Sequence, residues 1–496
     1  MLLLYMKNSY SQNLFFEGDE NSKNKNEIVA QIGAIKITAE EFIYSYEFGP
    51  AFPKRKDDSK RTHLNYMINE KLLAWDGYEK GLMEKEFAKG IYSDIESDLI
   101  TEELFKKEIL PKVDINESEI EKVIDKKLSE YEIRWLYASD SELLQNYLQQ
   151  LKNGISFDAL FNAQISDSVF IDDREMKSSL YNLYIKNPIF AQIVDTLSAG
   201  NISAPIHSDD GWYIIKIENI WKNIITSESE FNKLKSESIN AITKSKMDIL
   251  SDQYVKGLFE SENPTIKRDV FNVLRSYTGK FSLSSEKYSE WELDKKLDNA
   301  LTNLGLKRGE KYTGLTLVTS ESSNISLDEF IIWFRNREQH IKLSKNSFID
   351  FSKSLENLVW LMIRDKLLTA KAYQAGYDES DWVERQAGWW RDKISYSVYR
   401  NELANSVTLN YEEINQVDDK KSRTEILNEE LSKKIFYRLN DLKKKYKIKI
   451  NEEVLRGIKV SAENDRKAID TYIVKRGNLI PRPAYPSIDS DWVNWE

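Results

Sequence analysis

An internal repeat constrains the fold of this chain more than any other feature. Two motifs recur in the same order: Ile37–Phe42 as Ile325–Phe330, and Met67–Leu73 as Met362–Leu368. The second motif recurs after 295 residues and the same distance separates Gly81 from Gly376, whereas the first motif recurs after 288 residues. One spacing shared by a helix and by the glycine that follows it indicates that a structural unit has been duplicated. We therefore expect two modules with one fold, the second with additional residues between its motifs.

Each copy carries the same signals for the start and the end of a helix. Thr38 and Ser326 are suited to cap a helix N-terminus, and the glutamates three residues later, Glu41 and Glu329, complete a capping box. The two glycines fit the left-handed position that follows a helix. The copies are therefore predicted to be mainly helical modules. Short strands are expected to introduce them at Ile28–Ile35 and Gly314–Thr319.

The pattern changes between the two copies. Tyr131–Tyr137 alternates between polar and apolar residues, which is typical of a strand, and an amphipathic helix follows and ends at Gly154. A tight turn at Asp209–Gly211 leads into a second strand, which ends near Ile217. The order strand, helices, irregular loop, helix, strand predicts an α+β domain inserted among helical modules.

Composition excludes several classes of site. The chain of 496 residues has a net charge of −10, which argues against a nucleic-acid binder because phosphate contacts require clustered Lys and Arg. It contains no cysteine and only three histidines, which lie far apart in sequence, so neither a thiolate site nor a His-rich metal site is expected. Phosphate-binding and nucleophile-elbow motifs are absent. We expect no cofactor, no metal and no integral membrane segment.

The middle of the chain resembles the parvulin-type peptidyl-prolyl isomerases over residues 131–222. The stretches that carry this resemblance are Trp135-Leu136, Leu151–Phe157, Ser166–Ser168, Pro188–Phe190, Leu197–Ile206 and Gly211–Lys216. The helical segment before them is similar to the N-terminal chaperone module of the SurA and PrsA folding factors. The resemblance implies a folding factor that holds unfolded or unassembled exported polypeptides without ATP, in the periplasm or cell envelope. The short apolar start at residues 2–6 does not clearly provide a signal peptide.

The resemblance also identifies candidate site residues and departures from the family. Trp135 and Tyr213 occupy the positions of the two family histidines, and Ser168 occupies that of a Cys or Asp, so these three are the candidate catalytic residues. The candidate substrate-binding residues are Leu136, Lys186 and Phe190. Asp172–Met176 replaces a glycine-rich loop of the family.

Two interpretations of the replaced histidines remain open. An indole ring only donates hydrogen bonds, so Trp135 cannot reproduce the two-sided hydrogen bonding of histidine, whereas Tyr213 can retain part of a polar network. Alternatively, both rings fill the space of the family histidines and pack as aromatic side chains with one edge exposed to solvent. Because both family histidines are lost, prolyl isomerase activity is predicted to be weak or absent. An active isomerase and a structural subunit of an envelope or secretion assembly are the alternatives.

The chain is therefore divided into six predicted regions. These are a tail or signal remnant (1–27), a first helical module (28–124), the parvulin-like domain (125–222), a helical return segment (223–275), a second helical module (276–415) and a C-terminal region (416–496). Most of the second module's aromatic residues between 360 and 399 are expected in its core. The Pro- and Trp-containing tail from 477 to 496 is expected to lie extended over another module or to present its tryptophans to a partner. The oligomeric state is not predicted.

Overall fold

A computed structural model describes residues 25–166, 168–310, 312, 314–407, 423–460, 473–474 and 482–495. The chain divides into two units. Unit 1 takes the described residues up to Lys112 and from Asp248 onward, and unit 2 takes Val113–Met247. Unit 2 is wider than the predicted 125–222 because two further helical segments pack on it, and the boundary at Met247 falls within a long helix.

The helices and strands follow one another in an α+β order. The first part of the chain forms β1 (Ile28–Ile32), β2 (Ile35–Thr38), α1 (Ala39–Glu47), α2 (Ser59–Glu79), α3 (Glu86–Glu108), α4 (Glu117–Leu128), β3 (Ser129–Ala138), α5 (Ser141–Lys152), α6 (Phe157–Gln164), β4 (Glu175–Ser179), α7 (Leu180–Lys186), α8 (Pro188–Val194), β5 (Ile206–Ser208) and β6 (Gly211–Lys222). The second part forms α9 (Glu228–Glu262), β7 (Thr265–Ile266), α10 (Arg268–Ser282), α11 (Ser285–Glu290), α12 (Leu293–Asn303), β8 (Thr316–Thr319), β9 (Asn324–Ser326), α13 (Leu327–Arg335), α14 (Phe348–Gln374), α15 (Asp381–Asn405), α16 (Arg423–Lys445), β10 (Ile448–Ile450), α17 (Glu452–Gly457), β11 (Ile473–Val474) and β12 (Arg482–Pro483).

The repeated sequence motifs form equivalent local elements in unit 1. A strand pair and a short helix open each copy, and α2 and α14 both end just before a glycine in the left-handed conformation, Gly81 at φ 65° and Gly376 at φ 72°. One 3-10 turn follows each glycine, and the next helix, α3 or α15, begins at equivalent positions 295 residues apart, Glu86 and Asp381. Local signals repeated in the sequence have therefore produced the same local structure twice.

The two predicted capping boxes differ in how completely they form. Ser326 and Glu329 make the full capping box, in which each side chain bonds the other residue's backbone N–H. Thr38 accepts from the backbone N–H of Glu41 at 3.2 Å. The Glu41 carboxylate instead forms a buried ion pair with Lys71, and the equivalent pair in the second copy, Lys366–Glu329 at 2.9 Å, is solvent-exposed.

Strands from distant parts of the chain complete the sheets of both modules. One three-stranded sheet has the order β10-β1-β2, with Ala30 opposite Ile450, and the other has the order β7-β8-β9, with Ile266 opposite Val318. Each outer strand, β10 or β7, directly follows a long helix, α16 or α9. The first module therefore requires residues that lie near the other end of the chain.

Helices of the two modules also pack against each other. Helix α15 of the second copy packs on α2 and α3 of the first, while α3 packs on α14. At the crossing of α2 and α15, a Cβ on Gly77 would lie 2.5 Å from Oγ and 3.0 Å from the carbonyl oxygen of Ser395, so only glycine permits this approach. Lys393 of α15 pairs with Glu70 of α2 at 2.7 Å. Helix α15 and the end of α14 thus share a hydrophobic core with the first copy, whereas the rest of the second copy has a core of its own.

The C-terminal segment packs on this shared core. Trp492 is buried, stacks on Tyr66 at 5.5 Å and donates its indole N–H to Glu70 at 2.9 Å. Arg482 forms a buried ion pair with Asp98 at 2.7 Å and a second pair with Glu102 at 2.8 Å. The prediction that the tail lies over another module is confirmed for residues 482–495. The expected core role of the second copy's aromatics holds for Trp389, Trp390, Tyr396 and Tyr399.

Unit 2 is built on a four-stranded antiparallel sheet of order β4-β3-β6-β5. Helices α5 and α6 cover one face, where Leu136 and Ile214 join their core. Helices α7 and α8 cover the other face, where Ile133 and Ile215 contact Phe190 and its neighbours. The predicted strand that starts at Tyr131 and the strand after the Asp209–Gly211 turn are the two central strands, β3 and β6.

Candidate functional site

Alternation along β3 and β6 decides which predicted site residues meet in unit 2. In the β3–β6 pair Trp135 lies opposite Ile215 and Tyr137 lies opposite Tyr213, so Trp135 and Tyr213 lie on adjacent strands, two positions apart along the ladder. Both are half-buried against the core formed with α7 and α8. Helix α8 brings Phe190 edge-on to Tyr213, with ring centroids 4.8 Å apart. Three predicted site residues therefore share one aromatic face.

The hydroxyl group of Tyr213 is already engaged within the domain. It donates to the Asp210 carboxylate at 2.5 Å, and the hydroxyl of Tyr137 donates to the Asp210 carbonyl at 2.6 Å. Burial first, and then the bond to Asp210, raise the pKa of Tyr213 above its ordinary value, while the same bond lowers the pKa of Asp210. Tyr213 is therefore a protonated donor to a surface turn rather than a base.

The turn that holds Asp210 depends on glycine. Gly211 has φ 151°, and a Cβ there would lie 2.6 Å from the Ala138 carbonyl oxygen and 2.7 Å from the Tyr137 ring. The close approach of the turn to β3 places the Asp210 carbonyl within reach of Tyr137. This glycine, part of the motif that carries the family resemblance, thus sets the position of the tyrosine hydroxyl groups.

The remaining predicted site residues lie elsewhere in unit 2. Leu136 is buried on the opposite face of the sheet, among α5 and α6. Lys186 is exposed at the end of α7. Ser168 lies in an exposed turn, where its hydroxyl is 3.2 Å from that of Ser166, and no contact among the described residues joins it to Trp135 or Tyr213. Of the six predicted residues, the structure brings together Trp135, Tyr213 and Phe190.

Sequence reasoning missed three residues of this face. Tyr137 packs against Tyr213 at 5.3 Å, and the Arg174 guanidinium lies 5.1 Å from the Tyr137 ring centroid. The backbone N–H of Trp135 donates to the Arg174 carbonyl at 3.0 Å, and Asp210 binds both tyrosine hydroxyls. The signal for Tyr137 was its position two residues after Trp135, which places it on the same face of the strand.

Unit 1 contains a second candidate site, a cleft of about 670 Å³ between the two copies. We call it the inter-copy cleft. Its aromatic lining consists of Trp75 and Tyr78 from α2 and Trp389 from α15. Charged side chains of both signs complete the wall: Lys36, Glu41, Lys71, Glu84, Glu384, Arg385, Arg391 and Asp392. An aromatic cleft with mixed charges suits an amphipathic ligand.

A buried ionic network forms the floor of the inter-copy cleft. Lys71 pairs with both Glu41 and Asp392, the latter at 2.6 Å, and the hydroxyl of Tyr78 donates to Asp392 at 2.7 Å. Burial raises the pKa of Glu41. Burial alone would lower the pKa of Lys71, but the carboxylates of Asp392 and Glu41 outweigh it and raise that pKa. The network keeps the lysine charged and ties the two copies together.

The equivalent position in the other half of unit 1 lacks this lining. At the 295-residue spacing, Tyr373 corresponds to Tyr78, but Ala370 takes the place of Trp75 and Asp94 takes the place of Trp389. The two tryptophans of the cleft therefore have no aromatic counterpart at the equivalent positions, whereas Tyr78 has one.

Comparison with known proteins supports the resemblance stated from the motifs. The foldase protein PrsA of Oceanobacillus iheyensis is 23% identical over 243 residues, which cover 45% of this chain and 77% of that protein. The chain is similar to the PrsA foldases. The resemblance to parvulin-type folding factors is thereby confirmed. A scan against models of protein families finds no match.

Solved structures of similar proteins cover about half of the chain. PrsA of Bacillus subtilis is 17% identical, covers 46% of this chain and 93% of its own, and superposes with a TM-score of 0.17. The peptidylprolyl isomerase PrsA of Bacillus cereus is 16% identical, covers 58% and 95%, and has a TM-score of 0.24. A SurA-like chaperone structure from Campylobacter jejuni is 16% identical, covers 47% and 97%, and has a TM-score of 0.22.

Two further classes of feature, a metal site and a membrane-spanning helix, concern the described residues. No group of three or more metal-binding side chains is found in the described part of the chain. Within the same residues, no helix is both long enough and apolar enough to cross a bilayer.

Proposed function

We propose that the chain is an ATP-independent folding factor for exported polypeptides whose parvulin-like domain has weak or no prolyl isomerase activity. The similarity to the PrsA foldases supports the folding role. The single observation that carries the loss of isomerase activity is the state of Tyr213, whose hydroxyl donates to Asp210 and whose ring packs between Tyr137 and Phe190. Export to the periplasm or cell envelope belongs to the same proposal.

Prolyl isomerisation requires the enzyme to favour a twisted amide against a barrier of about 18–20 kcal/mol. Polar groups near the amide carbonyl and nitrogen must be free to respond to the charge that shifts during rotation. The Tyr213 hydroxyl is committed to a carboxylate, and Trp135 is packed against the core. The face therefore presents packed aromatic rings without a free polar cluster.

The test of the isomerase part uses the whole chain. We expect the purified protein to leave the cis–trans relaxation of a proline-containing peptide at its spontaneous rate, and the Tyr213→Phe variant to behave identically. Rapid catalysis by the wild-type protein that the Tyr213→Phe variant loses would show that the active isomerase alternative is correct.

The inter-copy cleft is our proposed place of polypeptide binding in unit 1. The half-buried rings of Trp75 and Tyr78 offer apolar contact area, and the charged side chains of the cleft suit the polar backbone and side chains of an extended segment. Helix α15 of the second copy packs into the core of the first, and the cleft is lined by residues of both copies. We therefore propose one shared cleft.

A glycine in the cleft wall provides a clean perturbation. Gly388 lies on α15 and lines the cleft, and no atom lies within 4 Å of the position that a Cβ would take there, so Gly388→Leu adds a side chain to the cleft wall without a clash at the Cβ. Gly90 on α3 is equally unobstructed and lies outside the cleft lining, so Gly90→Leu is the matched control. Both substitutions remove a helical glycine and should stabilise their helices by about 0.5–1 kcal/mol.

The readout is suppression of the aggregation of a urea-unfolded β-barrel envelope protein. We expect the wild-type chain and Gly90→Leu to suppress aggregation equally and Gly388→Leu to suppress it weakly. Equal suppression by all three proteins would contradict the cleft, and no suppression by any of them would contradict the folding role and favour the structural-subunit alternative.

A further inference from the structure

A half-buried arginine without an acidic partner marks a further site in unit 1. The Arg275 guanidinium, on α10, donates to Ser352 Oγ at 3.1 Å and to Asn272 Oδ1 at 2.8 Å. Its Nε atom is buried and has no hydrogen-bond partner among the described residues. Burial lowers the pKa of Arg275. No ion pair joins this guanidinium to a carboxylate in the described part of the chain.

Other buried or half-buried arginines of unit 1 are neutralised. Arg482 pairs with Asp98 at 2.7 Å, Arg438 contacts Asp76 at 2.5 Å, and Arg400 pairs with Asp489 at 2.9 Å. Removing a guanidinium from water costs free energy that a carboxylate normally offsets. Arg275 is partly removed from water without a carboxylate to offset the free-energy cost. This is expected of a group whose counter-charge is supplied by a ligand.

A second cation shares the surface with Arg275. The ring of Phe348 lies between helices, with the Arg275 guanidinium carbon 4.5 Å and the Lys296 ammonium 4.9 Å from its centroid. The two cations are thus within about 10 Å of each other, a separation at which exposed charges still interact at physiological salt. Phe348 is also the first residue of α14, whose N-terminal end adds positive potential.

Four acidic groups on the surrounding elements have other partners. Asp350, in the first turn of α14, accepts from the Ser347 hydroxyl at 2.8 Å. Asp294 and Asp298 of α12 both pair with Arg308. Glu292 pairs with Lys295 at 3.5 Å. None of these four carboxylates forms an ion pair with Arg275 or Lys296 among the described contacts.

We propose that Arg275 and Lys296 form a carboxylate-binding site for acidic side chains of a bound polypeptide. Arginine presents N–H groups in a planar fork that matches a carboxylate, and Lys296 adds a point charge. Next to them Ile349 is 62% exposed, which offers apolar contact to the chain that carries the carboxylate. The assignment of a polypeptide as the source of the carboxylate rests on the proposed folding role.

The test measures binding of two dansyl-labelled peptides by fluorescence anisotropy, at about 0.05 M salt, where screening is weak. One peptide is Gly-Leu-Glu-Leu-Glu-Gly-amide, and in the other both Glu residues are replaced by Gln. We expect the full chain to bind the Glu peptide about tenfold more tightly than the Gln peptide, as two charge-assisted contacts predict. Arg275→Gln and Lys296→Gln should each remove most of this preference.

A lysine on the same helix supplies the matched control. Lys353 of α14 is exposed and shows no ion pair among the described contacts, so Lys353→Gln removes the same charge without touching the proposed site. We expect this variant to keep the preference for the Glu peptide. If wild type shows no preference, or if Lys353→Gln reduces it as much as Arg275→Gln does, the proposal is overturned.

Competition distinguishes the possible sources of the anion. Inorganic phosphate and phosphatidylglycerol vesicles are each added to the peptide complex. Unlabelled Glu peptide is the reference competitor. If phosphate or the vesicles displace the labelled Glu peptide at a lower concentration than the unlabelled peptide does, the polypeptide assignment is overturned. Lys296→Gln, a substitution at a partly exposed position, keeps the test valid if Arg275→Gln does not fold. If the wild-type chain does not suppress aggregation but still prefers the Glu peptide, the result counts against the folding role and not against the carboxylate site.

Discussion

A buried histidine should make the stability of unit 1 strongly dependent on pH. His63 of α2 is completely buried and lies between the rings of Phe42 and Tyr46, with its Nε2 atom 2.9 Å from Ser45 Oγ. Burial, followed by the nearby charges of Lys54 and Lys393, lowers the pKa of His63 from 6.5 to about 3. The folded protein therefore holds this imidazole neutral at every pH at which most proteins are handled.

The sign and size of the effect follow from proton linkage. Below pH 6.5 the unfolded chain binds a proton at His63 that the folded chain does not bind until about pH 3, so stability falls as pH falls through this window. At about pH 5 the loss from His63 is roughly 2 kcal/mol, and by about pH 3 it approaches roughly 5 kcal/mol. The lowered pKa of Asp76, about 2, acts in the same direction, but only below its ordinary value of 3.8. The raised pKa of Glu41 acts in the opposite direction.

The assay compares guanidinium unfolding at neutral pH and at about pH 5, read by tryptophan fluorescence. His63→Gln removes the titrating group, and Gln retains an N–H that can reach Ser45. We expect wild type to lose roughly 2 kcal/mol more than this variant between the two pH values. His340→Gln, at an exposed position, is the control and should keep the wild-type dependence. Equal pH dependence in wild type and His63→Gln would refute the reasoning.

Three further substitutions test the packing. Gly77→Ala should destabilise unit 1 by about 1–3 kcal/mol in guanidinium unfolding, because the new Cβ meets Ser395, and a neutral effect would show that the helices separate easily. Asp98→Asn should cost about 3–5 kcal/mol in the same assay because Arg482 stays buried with less neutralisation; a loss below about 1 kcal/mol would contradict this. Tyr213→Phe should lower the thermal stability of unit 2 slightly, by about 0.5–1.5 kcal/mol, and an unchanged melting temperature would mean that its bond to Asp210 contributes nothing.

Within the parvulin-like domain, the sequence predicted the elements better than the site. The alternation that starts at Tyr131 and the turn before Tyr213 sufficed to identify the two central strands, because period-2 burial is a local property. The same alternation should have separated Leu136 from Trp135, since neighbouring residues of a strand point to opposite faces. The direction of the Tyr213 hydroxyl was beyond the sequence, because it depends on the position of the Asp210 turn.

By itself, the sequence determined the duplicated helices, their caps and their ends. Thr38, Ser326, Gly81 and Gly376 act through bonds and backbone conformations within a few residues, so their signals can be read without knowledge of the fold.

Only the tertiary structure decided how the copies combine. The pairing of β1 with β10, the packing of α15 on α2 and the burial of Trp492 join residues hundreds of positions apart. An apolar face specifies that it must be covered but not by which of several similar faces, because the hydrophobic effect is non-directional. The choice came from shape and charge at particular contacts, such as the space at Gly77 and the pairing of Lys71 with Asp392 across the two copies.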